Sequence, residues 1–203
     1  MKKLALAASL AFAFCASAQA GVLTTTFANN NGQNGNMFDV VTKGNALTVT
    51  GFDLNLSSGH HTLALYKLDG SWTGAATDAG AWTLVDTASL TGNGAGNATF
   101  FDVADFGLNA GATTGLYITI TTGGTMNYTD GSGIGNVYAQ DNYLQILEGA
   151  GKAYPFSSTY APRIWNGSIY YQVAASDVPE PASLALFGLG MAGLGMLRRR
   201  KQA

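Results

Sequence analysis

From Val22 to Val173 apolar residues recur at every second position in short runs, and glycine and asparagine fill the gaps between runs. That pattern fits strands; an amphipathic helix would bring its apolar residues back every three to four positions. GLYITITT (115–122) sets Leu116, Ile118 and Ile120 on one face against Tyr117, Thr119 and Thr121 on the other. HTLALYKLD (61–69) puts Leu63 and Leu65 together, and WTLVDTASL (82–90) and NATFFDV (97–103) alternate in the same way. RIWNGSIYYQV (163–173) reads as a strand with Trp165, Ile169, Tyr171 and Val173 on one face. In LTVTGFDLNL (47–56), Leu47 and Val49 share one parity while Phe52, Leu54 and Leu56 share the other. The switch at Gly51 predicts a β-bulge.

Turn-forming segments separate these runs: ANNNGQNGN (28–36), DGSWTGAATDAG (69–80), TGNGAGN (91–97), NAGATTG (109–115) and TDGSGIGN (129–136). Gly and Asn reach positive φ at little cost. The expected architecture is all-β: eight to ten short strands in an antiparallel β-sandwich of jelly-roll type over residues 21–174.

Both ends of the chain differ from this body. Lys2 and Lys3 precede LALAASLAFAF, and Ala18-Gln19-Ala20 follows. A positive start, a short apolar stretch and a small-x-small site define a secretory signal peptide over 1–20, cut after Ala20. The apolar stretch is short for a membrane span. The single cysteine, Cys15, lies inside the signal peptide, so the mature body has no disulfide and depends on its core. The 157 residues from 21 to 177 are enough for that.

Six of the ten basic residues are terminal. Between residues 21 and 177 only Lys43, Lys67, Lys152 and Arg163 face eleven carboxylates, a net charge of −7. Such a body repels phosphate backbones and argues against nucleic acid as a partner.

The C-terminal end is VPEPASLALFGLGMAGLGMLRRRK (178–201), and its Pro-Glu-Pro belongs to a short linker over 175–181 that leads out of the body. Pro179 and Pro181 hold Val178 and Glu180 extended. Residues 182–197 carry no charge and would span ~24 Å as a helix, slightly less than the hydrocarbon core. Arg198, Arg199, Arg200 and Lys201 would close the gap by snorkelling and stop transfer on the cytoplasmic side. Residues 182–203 are therefore expected to form a single transmembrane helix with a basic end. An extended carboxylate held just outside a membrane is readily gripped by a processing enzyme.

This order of Pro-Glu-Pro, apolar helix and arginine cluster resembles the PEP-CTERM protein-sorting signal of Gram-negative bacteria. The resemblance covers about an eighth of the chain. It implies that Pro179, Glu180 and Pro181 are recognised by a membrane-embedded exosortase. It also implies an inner-membrane intermediate, and a setting of exopolysaccharide or biofilm matrix. NNNGQNGNMFDV (29–40) and GKAYPFSSTYAPRIWNGSIYYQV (151–173) more loosely resemble small exported β-sandwich modules of bacterial surface proteins.

Within the body, His60 and His61 are adjacent on a strand start and point apart, which is poor metal geometry; a solvated turn is expected. No G-x-S-x-G element frames a nucleophile. Asp102, Asp105 and Glu148 are the carboxylates to weigh for glycoside hydrolysis, which needs two facing groups about 5–10 Å apart. Asp39 and Asp130 are candidates for a structural calcium site; no other cofactor is expected. Trp72, Trp82, Tyr154 and Trp165 are candidate glycan contacts, since flat rings stack on sugar faces. Trp72, in a turn-rich segment, is the ring most expected to be exposed.

These readings converge on a non-enzymatic exported protein carried by the secretion machinery and held briefly in the inner membrane. It would then be processed for the cell surface or extracellular matrix, with a structural or adhesive role. A carbohydrate-binding module is the alternative, and a hydrolase of matrix polysaccharide the third.

Overall fold

A computed structural model describes residues 19–174. The strands are β1 (Gln19–Thr24), β2 (Asn31–Gln33), β3 (Gly35–Thr42), β4 (Leu47–Asn55), β5 (Gly59–Asp69), β6 (Thr83–Gly92) and β7 (Ala98–Leu108). They continue as β8 (Thr113–Ile120), β9 (Met126–Asp130), β10 (Val137–Gln140), β11 (Leu144–Leu147), β12 (Gly149–Lys152), β13 (Thr159–Trp165) and β14 (Gly167–Val173). One 3-10 turn, Ala79–Ala81, is the only helical element among the described residues.

All strand pairings are antiparallel. Four strands form one sheet in the order β1-β14-β4-β7. Ten form the other, along β2-β9-β13-β12-β3-β8-β5-β6, with β11 also on β3 and β10 on β11. The count of fourteen exceeds the expected eight to ten for two reasons. Segments read as loops hold short strands, as Asn31–Gln33 shows. In addition, RIWNGSIYYQV is two strands: β13 lies in the large sheet and β14 in the small one, and Asn166 alone joins them.

Asn166 is fully buried. Its Nδ2 donates to the Ala28 carbonyl, and its Oδ1 accepts from Thr129 Oγ1 at 3.0 Å. Gly167 follows because there is no room for a side chain; a Cβ would come within 2.3 Å of the Asp53 carbonyl oxygen and 2.5 Å of the Trp165 ring.

The bulge expected at Gly51 is present. Tyr170 pairs with Gly51 and Tyr171 with Val49, so Thr50 has no partner of its own. The ladder to β7 shifts at the same place. The extra residue inverts parity, so Leu47 and Val49 before it and Phe52 and Leu54 after it all point inward and are buried.

One apolar core takes residues from both sheets: Val49, Phe52, Phe101 and Ile169 from the small, Phe38, Leu63, Leu65, Leu116 and Ile118 from the large. A second cluster of Met37, Trp72, Trp82, Tyr117 and Ala150 lies on the other face of the large sheet. It explains a departure from the alternation rule. Leu116 and Ile118 of β8 face the main core, and Tyr117, read as the polar side, is buried too.

No described helix is long and apolar enough to cross a membrane. The expected transmembrane helix over 182–203, the linker over 175–181 and signal-peptide residues 1–18 lie outside the described residues. Ala20, at the expected cleavage site, is exposed within β1.

Candidate functional site

Three of the four rings expected to meet glycan are buried. Trp165 is 1% exposed and stacks on Phe38. Trp72 is 4% exposed although it follows a turn, because the loop after β5 folds back over the large sheet. Asp39 pins that loop: its carboxylate accepts from Ser71 Oγ at 2.5 Å and from the Trp72 N–H at 2.9 Å. Burial pushes the Asp39 carboxyl up from the usual range, and those two hydrogen bonds oppose the shift. Trp82, also buried, donates its Nε1–H to the Ala75 carbonyl at 2.9 Å. The indoles thus serve packing, and none of the three offers a face to a ligand. Tyr154, 38% exposed, is the exception.

The candidate cation ligands do not meet. Asp130 pairs with Arg163 Nε at 3.2 Å and accepts from Asn31 Nδ2 at 3.2 Å. It lies on β9, three strands from β3, hence ~14 Å from Asp39 across the sheet. Among the described residues no group of three or more His, Cys, Asp or Glu side chains is placed to hold a metal ion. His61, expected to be solvated, is buried; its Nε2 lies 2.8 Å from the Ser57 carbonyl oxygen. His60, next to it on the opposite face, is exposed.

Glu148 is a structural staple. It sits between β11 and β12, where the edge of β3 changes partner. Its Oε2 accepts from the N–H groups of Ser132 and Gly133 at 2.6 and 2.8 Å, and Oε1 from Ser132 Oγ at 3.0 Å. Asp102 and Asp105 are exposed on β7, in the other sheet. The three carboxylates therefore do not face one another within one sheet.

The exposed ring system lies elsewhere, on the outer face of the four-stranded sheet. Phe100 is 54% exposed, and its ring packs edge to face on Tyr170 with centroids 5.5 Å apart. The tip of the Phe100 ring leans over Gly51, where a Cβ would come within 2.8 Å of it. Tyr170 donates its hydroxyl to Asp53 Oδ2 at 2.7 Å. That bond, more than burial, raises the phenol's pKa. Asp53 lies directly across from Phe100, and Asp102 across from Gly51. Val22, also exposed, pairs with Tyr170 on the other side. The signal for this face was in the chain: Phe100 and Phe101 are adjacent on a strand, so one had to point outward.

The described residues define an all-β antiparallel protein with an acidic body. Residues 177–201 match the family model described as the PEP-CTERM protein-sorting motif, so the chain ends in a tail similar to those that mark exosortase substrates. No curated protein matches the chain. Pro179, Glu180, Pro181, Arg198, Arg199, Arg200 and Lys201 all fall within the matched stretch, which lies outside the described residues; Ala18 lies outside them too.

Proposed function

We propose that this chain is a non-enzymatic component of the cell surface or extracellular matrix of a Gram-negative bacterium. An exosortase-type enzyme delivers it there. The observation that carries this reading is the tail matching the PEP-CTERM motif over 177–201. The signal-peptide pattern at the other end and the acidic body support it. Secretion would begin at Lys2 and Lys3 and end with signal cleavage after Ala20. Residues 182–203 would then hold the protein in the inner membrane as a helix, with Arg198 to Lys201 on the cytoplasmic side. The enzyme would grip Pro179-Glu180-Pro181 and cut nearby.

The body suits a passive role. Its two sheets share one core and are read as a jelly-roll sandwich, and its aromatic side chains are mostly engaged in packing. No calcium or other cofactor is invoked.

Mass spectrometry of both termini of protein recovered from outside the cell tests this reading. It should start at Gly21 and lack Arg198 to Lys201. Changing Glu180→Ala should trap an unprocessed form in the inner membrane. Recovery of external protein with its arginine end intact would overturn the assignment.

A further inference from the structure

We propose that the outer face of the four-stranded sheet is a binding platform for a neutral polysaccharide, with Phe100 as the stacking ring and Asp53 and Asp102 as hydroxyl acceptors. This goes beyond the sorting reading and does not depend on it.

The face is built from the bulge. Because Gly51 carries no side chain, the Phe100 ring settles across β4 and keeps 54% of its surface in solvent. Tyr170 packs against it with the ring planes 82° apart and is itself tied down by Asp53. Phe100 and the exposed Val22, on either side of Tyr170, form an apolar strip bordered by carboxylates, and an apolar patch with a polar rim marks an interaction site. Its face carries the negative lobe of the aromatic quadrupole. The C–H groups on the flat side of a pyranose carry partial positive charge and complement that lobe.

Carboxylates flank the ring. Tyr170 occupies Asp53 Oδ2. Asp102 makes no side-chain hydrogen bond among the described residues. An ionised carboxylate forms its strongest neutral-partner hydrogen bonds with hydroxyl donors, which a sugar supplies in abundance. Val22, Tyr170, Gly51 and Asp102 form one cross-strand row. From Tyr170 to Asp102 the row spans ~10 Å, room for a short run of sugar rings.

Charge decides the class of occupant. None of the four strands of this sheet contains a lysine or arginine, while β4 and β7 present Asp53, Asp102 and Asp105. The body's four cations belong to or adjoin strands of the large sheet. An acidic glycan would be repelled, and so would a second copy of this face, carboxylate against carboxylate. A neutral glycan meets neither repulsion.

The test is affinity electrophoresis of the full chain in mild detergent. The gels contain hydroxyethylcellulose, mixed-linkage β-glucan, dextran or alginate. At least one neutral glycan should retard the protein, and alginate should not. Phe100→Ala should weaken retardation about tenfold, with the thermal midpoint falling only by the few degrees that loss of its contact with Tyr170 costs. Asp102→Asn, at an exposed position without a side-chain hydrogen bond among the described residues, should weaken it severalfold and leave the thermal midpoint unchanged. Glu180→Ala, which tests sorting, should bind as the parent does. Failure of all three neutral glycans, retardation by alginate, full binding by both Phe100→Ala and Asp102→Asn, or dimerisation through this face would each overturn the platform while leaving the sorting assignment untouched.

Discussion

Phe38 and Trp165 stack at 4.6 Å between centroids and 11° between planes, although the strands that carry them, β3 and β13, are separated by β12. The rings meet because β12 is glycine-rich. At Gly149 a Cβ would come within 2.1 Å of the Met37 carbonyl oxygen and 2.9 Å of the Phe38 Cβ. Phe52 closes the other side, edge to face on Trp165 at 6.1 Å. Trp165→Ala should therefore cost about 3–5 kcal/mol, measured by denaturant unfolding. Trp165→Phe should cost much less, because it keeps the stack and removes a buried Nε1–H that has no partner among the described residues.

Gly149 and Gly51 make opposite predictions from similar crowding. At Gly149 the obstacle is backbone, which cannot step aside, so Gly149→Ala should cost about 3 kcal/mol. At Gly51 the obstacle is the tip of the exposed Phe100 ring. The ring can swing into solvent, and Gly51→Ala should cost less than about 1 kcal/mol. Thermal unfolding of the two variants side by side decides this.

Removing the Glu148 staple leaves two N–H donors and a hydroxyl without their acceptor. Glu148→Ala should cost about 3 kcal/mol. It should also speed amide exchange at Ser132 and Gly133 well before global unfolding, which hydrogen exchange would read directly.

Alkaline pH should unfold the body. Burial pushes the phenols of Tyr66, Tyr117, Tyr128 and Tyr171 up, Tyr117 to about 12. The native state then holds protons that the unfolded chain releases near its ordinary value of about 10. The associated stability is fully present below about pH 10 and is lost as pH rises from there toward 12. Lys152 works the other way. Desolvation lowers its pKa, so its penalty is relieved as pH rises toward 10.5, the ordinary value for lysine, and ends there. Above that pH only the phenols count, and stability should fall. Tyr171→Phe should be less stable at neutral pH, losing its 2.5 Å bond to Asp141, yet should fall less steeply above pH 10. Denaturant midpoints across pH 8–12 would check both.

Local patterning made much of this legible. Gly51 announced its bulge because one residue inserted into a strand switches the apolar parity, and glycine best tolerates the insertion. The alternating runs announced an all-β chain. The tail was legible for a different reason: its order of Pro-Glu-Pro, apolar run and basic end resembles the sorting motif that residues 177–201 match. What escaped was everything that needed a third dimension. Trp72 follows a turn and looked exposed, but nothing local says that Asp39, more than thirty residues away in sequence, draws its loop down onto a sheet. Trp165 and Ile169 keep one parity across Asn166, so the hop between sheets left no break in the alternation. Adjacent Phe100 and Phe101 meant that one ring had to face outward, but which one, and its partnership with Tyr170, needed the order of strands in the small sheet.

That strand order also bears on force. β14 is the last strand before the tail, and it is bonded on one side to β1 and on the other to β4. A pull applied at Ala174 arrives on a strand clasped along both borders. Both ladders must break before it can leave, so the body's C-terminal strand resists tension better than an edge strand would.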